Sequence, residues 1–171
     1  GIRDRDVTGV QTCALPILVD LGVLSLLDVL PDPVTGHGAD VAARYRSLVR
    51  LAVRAEQAGF CAVGVGEHHF SHYALPSPFL VLSYAAAATR TIELGTSVTL
   101  LANADPVRIA EDLATLDVLS GGRAEATFAR GVDTNTMTAF GIGSIDELRP
   151  RFEEHLRLVD RKSTRLNSSH I

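Results

Sequence analysis

The sequence CAVGVGEHH, residues 61–69, decides the fold of this chain. Its first six residues are apolar or glycine and Gly59 precedes them, which is typical of a buried strand in a parallel sheet. The run ends abruptly in one carboxylate and two imidazoles, Glu67, His68 and His69. Because α/β folds keep their active sites at the carboxyl ends of parallel strands, we expect chemistry at this end of the strand.

A helix is predicted directly before this strand, over residues 41–58. Asp40 is a plausible N-cap, and Gly59 follows the helix as a residue that stops it. Apolar side chains recur at alternating spacings of four and three residues, as one buried helix face requires. They are Val41, Tyr45, Leu48, Ala52 and Ala55.

The same strand and helix alternation continues on both sides. Strands are predicted over residues 18–27, 92–101 and 123–129. Ser77 with Pro78, and Asp105 with Pro106, each combine an N-cap with a proline in the first helical turn, so a helix follows each pair. The glycines at 121 and 122 end the second of these helices.

A last helix is predicted near the end of the patterned sequence. Ser144 and Glu147 form a capping-box pattern, whereas Pro150 disfavours a continuous helix. We therefore expect a short turn followed by a helix that ends near Val159. The alternation predicts an α/β fold with about four parallel βα units and right-handed crossovers.

Composition limits the possible functions. The chain has 171 residues, 46% of them hydrophobic, and a net charge of −4, which suits one domain or part of one. No basic face indicates a nucleic-acid or membrane partner, and no apolar run is long enough to span a bilayer. Only Cys61 lies in the patterned region, so a reducing, cytoplasmic location is expected.

The two ends differ from the rest of the sequence. Residues 1–17 and 161–171 lack hydrophobic periodicity and resemble translated sequencing-adaptor sequence. We interpret them as non-native, adaptor-like tails and exclude them from the fold argument. The native part is then residues 18–160, and we expect it to be a fragment of a longer protein.

Polar residues collect where the predicted strands end, although the strands themselves are apolar. Because buried charge is costly unless it is paired, a pocket explains this edge better than packing does. The residues are Ser25, Asp28, Glu67, His68, His69, Asn103, Asp105 and Arg130.

Each of these residues also has a structural interpretation. His68 or His69 could cap a loop or bond a backbone carbonyl, and for His69 this is favoured because adjacent residues of an extended segment point to opposite sides. Glu67, His68, His69 and His72 could ligate a metal, but no recognised zinc spacing is present, and we predict no metal site. Arg130, beside Gly131, suits either an ion pair or a bidentate phosphate contact.

Three stretches resemble a known family. They are EHHF (67–70), TSVTLLANADPVRIAEDLATLDVLSGGR (96–123) and ARG (129–131). They are similar to the N-terminal half of the bacterial-luciferase-like, flavin-dependent monooxygenases, and the similarity covers nearly all of residues 18–160. The resemblance implies the N-terminal half of a (β/α)8 TIM barrel, because a complete barrel needs roughly 250 residues.

The resemblance also implies roles for individual residues. His68 matches the family's catalytic histidine, which handles a proton beside the flavin, and Arg130 matches the arginine that holds the flavin phosphate. Ala102, Asn103 and Ala104 match the cofactor-binding segment under the isoalloxazine ring, where a cis peptide bond without proline often occurs. Glu67 is expected to support the cofactor site.

The implied activity is that of a monooxygenase using reduced FMN and O2 on an aldehyde or another small organic substrate. A separate flavin reductase would supply the reduced FMN, and a homodimer is possible. A deazaflavin-dependent oxidoreductase and a non-catalytic flavin-binding protein are the alternatives, and a metal-dependent hydrolase is a third. As a fragment, the chain alone is expected to be inactive.

Overall fold

The computed structural model describes residues 20–168, with side chains described as far as residue 160. The predicted tail 1–17, and residues 169–171 of the second predicted tail, lie outside the described residues. The elements are β1 (Gly22–Ser25), α1 (Val41–Gln57), β2 (Ala62–Val65), α2 (Pro78–Ala88), β3 (Glu93–Leu100), a 3₁₀ turn (Leu101–Asn103), α3 (Pro106–Ser120), β4 (Ala124–Ala129), α4 (Thr134–Ala139) and α5 (Ile145–Ser168).

The four strands form one parallel sheet in the order β1-β2-β3-β4. Val23 is paired with Val63, and Val63 with Leu94, so the apolar side chains of neighbouring strands are in register on one face. The helices cover this face, and the main core lies between them and the sheet. The predicted α/β fold with four parallel βα units is confirmed.

Capping residues set the ends of α1 and α3 as the sequence predicts. The carboxylate of Asp40 accepts a hydrogen bond from the backbone N–H of Ala42 at 2.9 Å. That of Asp105 accepts from Val107 at 2.8 Å and from Arg108 at 3.2 Å. At the far end of α3, Gly121 adopts the left-handed conformation, with φ of 74°. Glycine is favoured there because a Cβ is strained at positive φ.

Helix α2 begins differently from this pattern. Pro78 is its first residue, as predicted, because a proline lacks the N–H that would have no partner at that position. Ser77 occupies the N-cap position, but its side chain makes no capping hydrogen bond. The prediction is therefore confirmed for the position of the helix and not for the hydroxyl contact.

The prediction for the last helix is wrong. Helix α5 runs continuously over Ile145–Ser168, with Pro150 as its sixth residue. Proline there removes the bond to the carbonyl of residue 146, four residues earlier, and its ring crowds that carbonyl. The start is held by Ser144, whose hydroxyl accepts from the N–H of Asp146 at 3.1 Å. One lost bond near a capped end does not end a helix of 24 residues.

A second, smaller apolar cluster lies beyond the carboxyl end of the sheet. Ala102, Met137, Ile142 and Leu148 are buried together, and Phe152 packs against them. The cluster fixes the 3₁₀ turn, α4 and the start of α5 beside the strand ends. None of the described helices is long and apolar enough to cross a membrane.

Candidate functional site

A cavity of about 370 Å³ opens at the carboxyl ends of β2, β3 and β4. The turn after β2 contributes Gly66, Glu67 and His68 to its lining. The end of β4 and the loop after it contribute Ala129, Arg130 and Gly131. The predicted pocket at the strand ends is therefore present, and two of its predicted chemical groups, an imidazole and a guanidinium, line the same space.

Glu67 is the most constrained charged group of this edge, since its side chain is only 8% exposed. Its Oε2 accepts a hydrogen bond from the backbone N–H of Leu100 at 2.9 Å. Its Oε1 lies 2.7 Å from Nε2 of His69. Glu67 thus ties the turn after β2 to the end of β3, as a buried carboxylate with partners for both oxygens should.

His69 faces away from His68 and contacts the other side of the edge. Its ring packs edge-on against Phe140, with centroids 4.9 Å apart. Together with the bond to Glu67, this contact gives His69 the structural role that its position on an extended segment indicates.

His68 is half-buried, and its ring lies in the cavity lining. The ring of Tyr73 packs on it, with centroids 4.4 Å apart, and the backbone N–H of His68 donates to the carbonyl of Leu75 at 2.9 Å. Burial, and secondarily the neighbouring His69, lower the pKa of His68 below 6.5, while Glu67 acts in the opposite direction. A pKa below 6.5 favours the neutral imidazole at pH 7, and a neutral imidazole can accept a proton.

Gly66 allows this turn to pass close to its neighbours. A Cβ at this position would lie 2.7 Å from Cδ2 of Leu26 and 3.2 Å from the carbonyl oxygen of Ser97. The second contact is with backbone, which cannot move aside as a flexible side chain can. A larger residue at position 66 would displace the turn that carries Glu67 and His68.

Arg130 is exposed at the rim of the cavity, directly after β4. Within the described residues, its guanidinium has no ion-pair partner. It also lines a neighbouring cleft of about 480 Å³, together with Arg149 from α5. Arg149 is ion-paired with Glu153 at 3.0 Å, and Glu153 lines the same cleft. The guanidinium suited to an anion such as a phosphate is therefore that of Arg130.

The three residues of segment 102–104 lie in different environments, in the core, at this cavity and at a second cavity. Ala102 is fully buried in the smaller apolar cluster, so it does not reach the cavity. Asn103 is 6% exposed and lines the cavity, and its Oδ1 has no hydrogen-bond partner among the described residues. Ala104 borders a different cavity on the helix side of the edge. Of the three residues, only Asn103 is placed to contact a molecule in the cavity.

The expected position of the cis peptide bond is wrong. The bond between Ser97 and Val98 is cis, and both residues line the cavity. It lies where the pairing of β3 with β4 shifts register between Ser97 and Thr99. Residues 101–103 instead form the 3₁₀ turn, which carries the chain away from the sheet towards α3.

Besides His69, three polar residues predicted for this edge do not line the cavity. Ser25 accepts a hydrogen bond from the backbone N–H of Leu27 at 3.3 Å. Asp28 forms an ion pair with Arg44 of α1. Asp105 caps α3. Each has a local structural partner, so only part of the polar edge belongs to the cavity.

Sequence reasoning missed the wall that α4 provides. Thr136 and Met137 of this helix line the cavity, with Val132 and Asp133 before them. Asp133 caps the helix by accepting from the hydroxyl and the N–H of Thr136, and these bonds lower its pKa. An aspartate N-cap at 133 and a helix-stopping glycine at 141 were the available signal for this helix.

The possible metal ligands of this region are not grouped as a metal site. Within residues 20–160, no three His, Cys, Asp or Glu side chains are placed so that they could hold one ion. Glu67 is already bonded to His69 and to the backbone of Leu100.

A model of the family described as luciferase-like monooxygenase matches residues 19–169 of this chain. The luciferase-like monooxygenase of Escherichia coli K12 is 33% identical over 153 residues, which are 86% of this chain and 44% of that protein. The alkanal monooxygenase alpha chain of Photorhabdus laumondii is 35% identical over 97 residues, 56% of this chain and 27% of that protein. The oxygenase component of the flavin-dependent trigonelline monooxygenase of Acinetobacter baylyi is 32% identical and covers 51% of this chain and 24% of that protein.

Solved structures agree with these relatives. Monooxygenase RslO1 from Streptomyces bottropensis superposes with a TM-score of 0.75 at 34% identity, over 84% of this chain and 42% of that one. The coenzyme F420-dependent tetrahydromethanopterin reductase of Methanopyrus kandleri gives 0.54 at 30% identity, over 72% and 30%. The chain thus spans less than half the length of each of these proteins, and its four βα units correspond to part of a barrel.

Proposed function

The chain belongs to the luciferase-like monooxygenases, and on that premise we propose that it is part of a flavin-dependent monooxygenase that uses reduced FMN and O2. The observation that carries the proposal is that His68, Arg130 and the amide of Asn103 line one cavity with otherwise mainly apolar walls. We further propose that a separate flavin reductase supplies the reduced FMN. The trigonelline relative is itself named as an oxygenase component, which supports this division.

The residues of the cavity fit a flavin. The volume of the cavity, about 370 Å³, lies within the range of small-molecule sites. The partnerless Oδ1 of Asn103 is an acceptor that a ring N–H would satisfy, and Arg130 is a cation at the rim that a phosphate would satisfy. Val98, Leu100 and Met137 supply apolar walls against which a planar ring can pack.

A reduced flavin supplies the two electrons with which a monooxygenase places one oxygen atom of O2 in its product and releases the other as water. In this chain, His68 is the group that holds or accepts a proton at the cavity, because its lowered pKa favours the neutral imidazole near pH 7. Glu67 fixes the turn that carries His68, through its bond to the N–H of Leu100. The apolar walls exclude water from the reacting groups.

The proposed substrate is an aldehyde or another small organic molecule, as the name of the alkanal relative suggests. We also propose that this chain alone is not competent in turnover, because it spans less than half of each relative. A fusion to the part of the E. coli relative beyond the matched region provides the test. With reduced FMN, O2 and a long-chain aldehyde, the fusion is expected to form carboxylate and the chain alone is not.

His68→Ala distinguishes an enzyme from a flavin-binding protein. In the fusion, this change is expected to reduce turnover at least about 100-fold, as is usual for loss of a proton-transfer group, while FMN affinity changes less than about twofold. Turnover equal to that of the unmodified fusion would show that His68 has no catalytic role. Carboxylate formation by the chain alone at enzymic rates would contradict the proposed incompetence.

The alternative with support is a deazaflavin-dependent oxidoreductase. The F420-dependent reductase shares this fold at 30% identity. Parallel titrations with FMN and with F420 separate the two: FMN is expected to bind at least tenfold more tightly, and the reverse order would favour the deazaflavin enzyme.

A further inference from the structure

One face of helix α5 packs against the 3₁₀ turn at the carboxyl end of the sheet. Leu148, Phe152 and His155 are spaced by four and three residues, so they lie on the same side of the helix. Leu148 is buried together with Ala102 of the turn, and Phe152 packs against the same cluster. His155 is the polar member of the three, and a polar group in such a contact needs a hydrogen-bond partner.

The partner of His155 is the backbone of the turn. Its Nδ1 lies 2.9 Å from the carbonyl oxygen of Leu101, a residue that is fully buried. Because a carbonyl only accepts, Nδ1 carries a proton and donates the hydrogen bond. The N–H of Ala104 also donates to this carbonyl, but at 3.5 Å. The imidazole of α5 therefore supplies the shorter and stronger of the two bonds.

Asn103 follows Leu101 by two residues in the same turn. Its amide lies beside the loop after β4, since a Cβ built at Gly131 would be 3.7 Å from its Nδ2 and 4.0 Å from its Oδ1. Asn103 is 6% exposed, and its Oδ1 has no partner among the described residues. An N–H···O bond extends over about 2.7–3.2 Å. A movement of the turn by about 1 Å would therefore remove a bond between Oδ1 and a bound molecule.

We propose that His155 is a positioning residue of the cavity. Through the carbonyl of Leu101 it holds the 3₁₀ turn, and the turn places the Oδ1 of Asn103 where it accepts from a ring N–H of the ligand. His155 lies outside the lining of the cavity, so its effect on a ligand is indirect. The choice of a flavin as that ligand rests on the proposed function.

The competing explanation is that the bond only satisfies a buried carbonyl. Its loss would then lower stability without acting on the ligand through Asn103. Two substitutions remove or keep the donor. His155→Phe keeps a ring and removes the N–H, whereas the amide nitrogen of His155→Asn is as many bonds from Cα as Nδ1 and still donates to Leu101.

Titration of the chain with FMN and with riboflavin, followed by quenching of flavin fluorescence, measures the effect. His155→Phe is expected to raise both Kd values about fivefold, as loss of one hydrogen bond should. The ratio of the two Kd values should not change, because Arg130 and not Asn103 is the proposed phosphate contact. His155→Asn, and the exposed control Arg157→Ala on α5, are expected to change each Kd less than about twofold.

A double variant separates positioning from a general loss of structure. Asn103→Leu removes the group through which His155 acts. In that background, His155→Phe is expected to raise the Kd for riboflavin less than about twofold, because coupled residues are not additive. An effect independent of Asn103 would instead raise it about fivefold again.

NMR of the side-chain amide of Asn103 reports its position without a ligand. Its signals are expected to shift in His155→Phe and to stay in place in His155→Asn and Arg157→Ala. If the unmodified chain bound neither flavin, the proposed function would be contradicted, and the NMR comparison would still decide the role of His155.

Any of three results would overturn the proposal. They are Asn103 signals that do not move in His155→Phe, a fivefold effect of His155→Phe that persists in the Asn103→Leu background, and a His155→Asn variant that binds as weakly as His155→Phe. Circular dichroism confirms that the variants keep their helices. His155→Leu, a strong helix former without a donor, replaces His155→Phe if that variant does not fold.

Discussion

Glu67 Oε1 lies 2.7 Å from Nε2 of His69, and of this pair it is Glu67 that lines the cavity together with His68. The other oxygen of Glu67 accepts a hydrogen bond from the backbone N–H of Leu100. The position of His68 therefore depends on a carboxylate that is bonded on both sides, and the adjacent imidazoles have different roles.

Replacing Glu67 tests this arrangement. Glu67→Ala leaves the N–H of Leu100 and the ring of His69 without their acceptor, so the free energy of unfolding is expected to fall by about 2–3 kcal/mol. Glu67→Gln keeps an acceptor and is expected to cost about 1 kcal/mol. Urea unfolding measures both, and Glu154→Ala on the surface of α5 is the control, at under about 0.5 kcal/mol. A loss no larger than that of the control would contradict the structural role of Glu67.

The titration of His68 is the second prediction. Burial lowers its pKa, His69 lowers it further and Glu67 raises it. NMR of the imidazole should therefore show a pKa below 6.5, which falls further in Glu67→Gln and rises in His69→Gln. Because the folded pKa lies below the unfolded one, this group reduces stability as the pH falls below about 6.5. If the pKa of His68 were not lowered, and if neither substitution changed it, the environment described for His68 would be contradicted.

Replacing Asn103 by an apolar residue should stabilise the fold and weaken FMN binding. Its buried Oδ1 has no partner among the described residues, which costs free energy in the absence of a ligand. Asn103→Leu, which keeps the branched shape and the number of side-chain heavy atoms, is expected to raise the free energy of unfolding by about 1 kcal/mol and to weaken FMN binding at least fivefold. If the substitution destabilised the chain and left FMN affinity unchanged, Asn103 would be a structural residue only.

Glu56, which lies away from the site, gives a prediction about how the stability of the fold depends on pH. Its Oε1 accepts from the backbone N–H groups of Arg90, Thr91 and Ile92, and these bonds lower its pKa to about 2. A lowered carboxyl pKa stabilises the fold above the unfolded value near 4.5 and loses that effect as the pH falls towards 2.

Glu56→Gln is therefore expected to cost about 1 kcal/mol at pH 7, after allowance for solvent screening of this partly exposed group. The cost should shrink steadily below pH 4.5. Urea unfolding at pH 7, 4.5 and 3.5 measures it, with Glu111→Gln on α3 as the control. A cost that is constant with pH would show that charge on Glu56 contributes nothing.

Much of the fold could be predicted from the sequence because its signals are local. Asp40, Asp105 and Gly121 act within a few residues, and each determines a helix end where predicted. The helix break predicted from Pro150 was wrong, because the effect of a proline depends on its position in the helix. One missing bond near a capped helix end is tolerated. The parallel orientation of the strands followed from the alternation of strands and helices alone.

The site was less predictable, because it depends on which side chains share a space. His68, Arg130 and Asn103 were placed correctly at the cavity by the strand-end argument. Ala102 was not, because a 3₁₀ turn rotates it into an apolar cluster. Met137 was missed, since its contact with the cavity depends on how α4 packs against the sheet and not on local pattern. The roles of these residues towards a cofactor stay predictions.

The most direct test of the proposed site compares FMN with riboflavin, which lacks the phosphate, by quenching of flavin fluorescence on titration with the chain. Arg130 is expected to favour FMN at least tenfold, as a charge-assisted phosphate contact should. Arg130→Ala should remove that preference and leave riboflavin binding unchanged, while Arg157→Ala on α5 should keep it. Equal affinities for the two flavins in the unmodified chain, or a preference that survives Arg130→Ala, would contradict the assignment of this cavity as the flavin site.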